Sequence, residues 1–230
     1  MPDKIIIHSL NASDLRRIET IQAEVPGWSD ARQYAFFKEL LQARPGIHSL
    51  IMFGVYHGRD LAFVVDILTR YHPTRSFVLA GVDKFTNTEC ADWPKEAKGK
   101  SWKDAGFGRP PSQVGAEKTL ARMAVGSQIT IEIIKADSIY HMKNSDEAYD
   151  VVYLDTSHDF ETVTEEIANV LPVCSGPATI VCGDDYSDGG TWGVIKAVTA
   201  GFVRHQLAHG WVWWAYVGDR VQIRIRKGKR

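Results

Sequence analysis

Five apolar stretches in this chain share one kind of ending. "IHSLIMF" (47–53) runs into Gly54, and "SFVLAGVD" (76–83) ends on Asp83. "QITIEIIKAD" (128–137) ends on Asp137, "YDVVYLD" (149–155) on Asp155 and "PATIVCGDD" (177–185) on the pair Asp184–Asp185. Each has the length of a strand, and together they read as buried, largely continuous apolar runs. Strands of that kind are covered on both sides, which points to a mostly parallel sheet between layers of helix. Helical patterns lie between them: "LAFVVDILTRY", "FETVTEEIANVL" and "GVIKAVTAGFVRHQL". The end, "WVWWAYVGDRVQIRIR", reads as two antiparallel strands around "VGDR". The expected class is therefore α/β.

Two further helices precede the first strand. One spans 11–24, opened by Asn11 or Ser13, and the other about 30–43, with Ser29 as its candidate cap. With 230 residues, a single domain over 1–230 is expected, and 1–45 forms its N-terminal helical extension. Residues 86–115 break the rhythm, being rich in Gly, Pro, Lys and Trp. So long a connection reads as a lid over the site or as a surface insertion; Trp93, Trp102 and Phe107 argue against disorder.

Net charge is −1, so nothing global suggests nucleic acid or an anionic membrane as partner. The basic tail "RIRKGKR" is local and reads as a solvated end. Cys90, Cys174 and Cys182 are odd in number and lack CxxC spacing, which speaks against a disulfide framework and a zinc site. No signal peptide and no spanning run is legible, so a cytoplasmic location is expected. Trp residues at 211–214 are either sheet packing or an interface in a homo-oligomer.

In an open parallel sheet, ligands bind beyond the carboxyl ends of the strands. The turn "GVYHG" permits close backbone approach at Gly54 and Gly58, with Val55, Tyr56 and His57 between them. Tyr56 stands where a dinucleotide fingerprint needs a second glycine, so NAD is disfavoured. Asp83, ending the second strand, suits the two hydroxyls of a ribose. Adenosine without a pyrophosphate fits both facts, and S-adenosylmethionine is the obvious candidate. Asp155, Asp184 and Asp185 would repel one another unless a cation relieved them. All-oxygen ligands select Mg²⁺, Mn²⁺ or Ca²⁺. His158, three residues after Asp155, is placed to take a proton from a hydroxyl held there, and Asp159 to cap the next helix. Any one of these acids could be a turn former or cap; their recurrence at successive strand ends is the signal.

Taken together, "IMFGVYHGRDL", "AGVDKF", "KADS", "DVVYLDTSHDFETVTEEI", "GPATIVCGDDY" and "GVIKAV" resemble class I S-adenosylmethionine-dependent methyltransferases. More narrowly, they are similar to the metal-dependent macrocin-type branch that O-methylates sugars and natural products. The resemblance spans about 47–200. It implies a Rossmann-like, seven-stranded sheet of order 3-2-1-4-5-7-6 with an antiparallel C-terminal pair. It places the Gly54–Gly58 turn beside the methionine part of the cofactor, Asp83 at the ribose, and Asp137 and Ser138 by the adenine. Asp155, Asp184 and Asp185 match the metal acids, and His158 matches a general base. It further implies a small-molecule hydroxyl as acceptor. The chain departs from the pattern at Met52, where members commonly carry an acid; a weaker contact with the cofactor's amino group is implied. Metal-independent transfer and a non-catalytic cofactor-binding module are the rival expectations.

Overall fold

The computed structural model describes residues 9–86, 93 and 95–221. Five strands run parallel: β1 Ser49–Phe53, β2 Phe77–Asp83, β3 Ile129–Lys135, β4 Val151–Leu154 and β5 Ile180–Gly183. Two more, β6 Gln206–Ala208 and β7 Val212–Tyr216, close one edge as an antiparallel pair. The sheet order is β3-β2-β1-β4-β5-β7-β6, as the resemblance implied.

The register of the sheet is what builds the site. Phe53 is level with Val82 on one side and Leu154 on the other, and Leu154 is level with Gly183. The next residue of each strand's path, Gly54, Asp83, Asp155 and Asp184, therefore leaves the sheet at one rim.

Alternate residues of the central strands β1 and β4 feed two cores. Leu50, Met52 and Tyr153 face α1 (Ala12–Glu24), α2 (Ala31–Ala43) and α3 (Arg59–Tyr71), where they pack with Tyr34, Phe37 and Phe63. Ile51, Phe53, Val152 and Leu154 face the other side, among Val163 and Ile167 of α6 (Phe160–Asn169) and Val198 of α7 (Val194–Gly201). Continuous apolar strands are explained by these two covers. The N-terminal extension is thus half of one core. The rings of Phe37 and Tyr153 lie 5.1 Å apart, and Tyr34 and Phe37 are fully buried.

Asn11 caps α1 through a capping box with Asp14, as its position suggested. Asp30, not Ser29, caps α2 in a second box with Gln33. The hydroxyl of Ser29 is turned inward to Asp60 instead. Asp159 caps α6, as expected.

The C-terminal hairpin differs from the sequence expectation. The strand partner of β7 is Gln206–Ala208, and "VGDR" forms a short 3-10 turn at Val217–Asp219. The second strand read from "VQIRIR" falls almost wholly outside the described residues. The preceding helix stops at Gly201, six residues before Leu207, because the chain must turn back to lay β6 on β7. Two helices were not foreseen: α4 (Gln113–Met123) and the seven-residue α5 (Ser138–Asn144). α4 absorbs the last residues of the 86–115 stretch. The described remainder packs Trp93, Ala97, Trp102 and Phe107 against Tyr56 of the glycine turn. Trp213 is core and Trp211 lies beneath the Arg32 guanidinium, 5.5 Å from its ring centre. No helix among the described residues is long and apolar enough to cross a membrane.

Candidate active site

Gly54 has φ 91°, and a Cβ on it would fall 1.8 Å from the carbonyl oxygen of Asp155. Only glycine fits where the turn after β1 touches the end of β4. Gly58, at φ 84°, starts α3 and offers no side chain to its first amides. Tyr56 between them also has a positive φ, 55°. The carboxylate of Asp83 holds this turn: one oxygen accepts from Val55 N (2.9 Å) and Tyr56 N (2.8 Å), the other from Phe85 N (2.7 Å). A ribose at Asp83 would share oxygens already serving the turn. His57 is buried, and that burial holds its imidazole below the usual range.

Asp137 caps α5 through Tyr140 N (2.9 Å) and pairs with Lys84 Nζ (2.8 Å). The Ser138 hydroxyl is buried and donates to Glu166 Oε1 at 2.6 Å, as does Thr156 Oγ1. Burial pushes the Glu166 carboxyl up to about 7 against the pull of those two hydroxyls. Glu166 is an acid that strand-end reasoning could not find, since it sits on the inner face of α6.

Asp155, His158 and Asp185 come together. One ligand atom from each lies within 4.8 Å of the others. His158 Nε2 is 2.8 Å from Asp185 Oδ2 and 3.6 Å from Asp155 Oδ1. Asp185 adopts φ 53°, a left-handed conformation that separates its side chain from that of its neighbour Asp184. Trp192 lies 4.7 Å from the His158 ring at 35°. It comes from a small hairpin pairing Asp188–Gly189 with Trp192–Gly193, tied back by Gly193 N to the His158 carbonyl at 2.8 Å. Two carboxylates and an imidazole nitrogen fit a divalent cation such as Mg²⁺ or Mn²⁺.

Asp184, the third acid of the expected metal set, turns inward. Gln33 of α2 donates to its Oδ2, and Oδ1 is buried without a hydrogen-bond partner. Burial, then the charges of Asp155 and Asp185, push its pKa up to about 7. Behind it lie two groups absent from the sequence reading. Asp60, in the first turn of α3, accepts from Ser29 through Oδ2 while its buried Oδ1 has no partner; the fully buried Tyr153 hydroxyl has none either. The signal for Asp60 was present in "GVYHGRD", but an acid in a helix's first turn reads as ordinary.

A family profile described as a methyltransferase domain matches residues 51–186. No curated protein is significantly similar to the chain. Among solved structures, the calicheamicin methyltransferase CalS11 shares 16% identity, with TM-score 0.61, covering 90% of this chain and 93% of that one. An O-methyltransferase from Bacillus cereus, solved with S-adenosylhomocysteine, shares 12% (TM-score 0.54; 91% and 93% covered). TomG, an O-methyltransferase of Streptomyces achromogenes solved with S-adenosylmethionine, shares 12% (TM-score 0.53; 92% and 93% covered). At these identities the likeness is one of fold.

Proposed function

The chain belongs to the methyltransferase-domain family, and on that footing we propose that it is an S-adenosylmethionine-dependent O-methyltransferase acting on a small-molecule hydroxyl. One observation carries the reading. At the rim where Gly54 meets the Asp155 carbonyl, His158 Nε2 stands 2.8 Å from Asp185 Oδ2 and 3.6 Å from Asp155 Oδ1. A base and two acids thus border the turn that would carry the cofactor. The structural neighbours named as O-methyltransferases support the same reading.

S-adenosylmethionine, when bound, supplies an electrophilic methyl whose bond to sulfonium sulfur breaks as the acceptor oxygen bonds to carbon. A divalent cation, when held by Asp155 and Asp185, supplies Lewis acidity toward the acceptor hydroxyl. The chain's own work is to position and to move one proton. His158 Nε2 takes the hydroxyl proton, and the carboxylates of Asp185 and Asp155 favour the imidazolium that results. The Gly54–Gly58 turn and Asp83 fix the backbone beside which the cofactor lies. Trp192, over the imidazole, gives the acceptor a flat apolar wall. Such a wall suits a sugar, a glycoside or an aromatic natural product. The CalS11 structure solved in apo form is named a TDP-rhamnose 3'-O-methyltransferase, which supports a sugar hydroxyl.

The test is release of S-adenosylhomocysteine from the purified chain across a panel of hydroxyl acceptors that includes nucleotide sugars. Turnover with one acceptor is expected. No turnover, together with no S-adenosylmethionine binding by calorimetry, would overturn the reading. A metal-independent variant of the mechanism draws on the inward turn of Asp184 onto Gln33, which withdraws one of the three acids expected to hold the cation. Turnover that persists in excess EDTA identifies it.

A further inference from the structure

A groove of about 570 Å³ opens between the end of α1, the Gly54–Gly58 turn and residues 107–109, and none of the rim acids lines it. That is the size of a small-molecule site. Trp28, in the connection between α1 and α2, forms one wall and is 63% exposed. Its indole stacks on Tyr56, ring centres 4.8 Å apart at 29°, and Tyr56 stacks in turn on Trp102 (5.6 Å, 26°). The Tyr56 hydroxyl donates to the Arg109 carbonyl at 2.6 Å, which ties the ring to the far wall. The indole is thus braced by a partner and still open to a ligand. A ring held in place beforehand loses little freedom when a flat molecule stacks on it.

The charges around the groove cancel except at one residue. Glu24 on the α1 side is paired with Arg122 at 2.6 Å. Arg59 spends its guanidinium on the carbonyls of Gln22, Val25 and Ser29, and the Asp60 carboxylate opposes its charge. Arg109 is exposed, and among the described residues no carboxylate pairs with it. A free guanidinium facing an aromatic wall is suited to a planar ligand that carries an anion, because its forked donors match a carboxylate or a phosphate.

One short segment joins the groove to the rim. Ser29, the residue after Trp28, meets Asp60 through its hydroxyl. Asp30 then caps α2, and Gln33 of that helix reaches Asp184. Five residues separate Trp28 from Gln33, so their Cα atoms are at most about 18 Å apart. A molecule of two or three linked rings bridges that distance.

We propose that the groove holds the far end of the methyl acceptor, and that this end is a planar ring bearing an anionic group, with the ring on Trp28 and the anion on Arg109. That the ligand is the acceptor rests on the methyltransferase reading; the ring and the anion rest on the groove itself. A nucleoside phosphate and an aromatic carboxylate share this chemistry, and the test separates them.

Calorimetry on the whole chain, in EDTA so that no metal at the rim draws the ligand, uses two anionic probes. They are uridine diphosphate and 4-hydroxybenzoate, each beside its neutral counterpart, uridine and 4-hydroxybenzyl alcohol. One anionic probe is expected to bind about tenfold tighter than its counterpart, and which one does so tells phosphate from carboxylate. Arg109→Gln should remove that margin. Trp28→Ala should weaken the probe by about tenfold, and Trp28→Phe, which keeps a ring, should restore most of the loss. In the wild-type chain, added salt should weaken the anionic probe and spare the neutral one, so a poorly folding variant still leaves a decision. No margin for either anion, or a margin indifferent to Arg109→Gln, to Trp28→Ala or to salt, would overturn the proposal. With an acceptor found by S-adenosylhomocysteine release, Trp28→Ala should raise KM about tenfold and leave kcat within about threefold. A fall in kcat at unchanged KM would overturn the acceptor assignment. Probe binding by a chain that neither binds S-adenosylmethionine nor turns over any acceptor would count against the methyltransferase reading, a result distinct from failure of the groove.

Discussion

Gly54 and Asp155 touch across the rim of the sheet: a Cβ on Gly54 would lie 1.8 Å from the Asp155 carbonyl oxygen. The contact joins the cofactor-side turn to the strand end that carries the acids, so the two halves of the site are set by one backbone approach. The left-handed φ of Gly54, 91°, adds a second demand for glycine.

Gly54→Ala is accordingly expected to cost about 3 kcal/mol or more, from backbone strain and from displacing the end of β4. Gly46, where an added methyl would meet nothing within 4 Å, is the control, and Gly46→Ala should stay within about 0.5 kcal/mol of wild type. Urea unfolding of both proteins checks this. Similar midpoints for the two would show that the turn yields more easily than its geometry implies.

His158 has one role or the other at Nε2: it either accepts the acceptor's proton or ligates the cation. As a base, its replacement by Gln should lower kcat by about 10²- to 10⁴-fold while Mn²⁺ affinity stays as in wild type. As a ligand, cation affinity would fall together with kcat. Asp185→Asn should weaken the cation and also disturb His158, because the two side chains meet at 2.8 Å. Steady-state rates paired with Mn²⁺ titrations separate these cases.

Much of this site was legible because parallel strands buried on both faces must end in something polar. The runs before Gly54, Asp83, Asp155 and Asp184 announced a shared rim, and the register places all four there. What sequence could not say is which way adjacent acids point. Asp184 and Asp185 are equivalent as letters, but the left-handed φ of Asp185 turns one to His158 and leaves the other facing Gln33. The helix α4 escaped notice because just two of its residues, Ala116 and Leu120, are buried, too few to show a period. The β6 strand is three residues long and mostly exposed, so the apolar periodicity of the preceding helix ran on over it. Gly201 marks the true stop: a Cβ there would meet Ile167 Cγ2 at 2.7 Å, and the helix end is pressed against α6.

Glu166 gives the fold a pH dependence with a definite sign. Its carboxyl titrates near 7 in the folded chain, raised by burial from an ordinary 4.5. Between those values the folded state holds a proton that the unfolded state has released, so stability falls as pH rises through the window. The span from 4.5 to about 7 corresponds to about 3 kcal/mol, fully present below the lower value and gone above the upper one. Glu166→Gln keeps an acceptor for Ser138 and Thr156 without the titration. It is expected to lessen the fall in unfolding free energy between pH 5 and pH 8, to which the raised Asp184 carboxyl also contributes, measured in urea; an unchanged slope would assign that dependence to other groups.

The N-terminal extension is expected to be indispensable for folding as well as for the site. Phe37 of α2 is fully buried, with its ring 5.1 Å from that of Tyr153, whose strand carries Asp155 two residues later. Truncating that ring leaves a cavity in the middle of a close-packed layer, and Phe37→Ala should cost about 3–5 kcal/mol. Because Gln33, one turn earlier on the same helix, also holds Asp184, any tilt of α2 is felt at the rim. Gln33→Ala removes that hydrogen bond and the capping-box bond that its Oε1 accepts from Asp30 N at 2.8 Å, so it should leave the unfolding free energy within about 2 kcal/mol of wild type yet alter turnover. Chemical denaturation and rate measurements on the two variants then distinguish packing from positioning: large loss of stability for Phe37→Ala, and a change in kcat without that loss for Gln33→Ala. A Gln33→Ala protein with wild-type turnover would show that α2 supports the sheet and nothing at the rim.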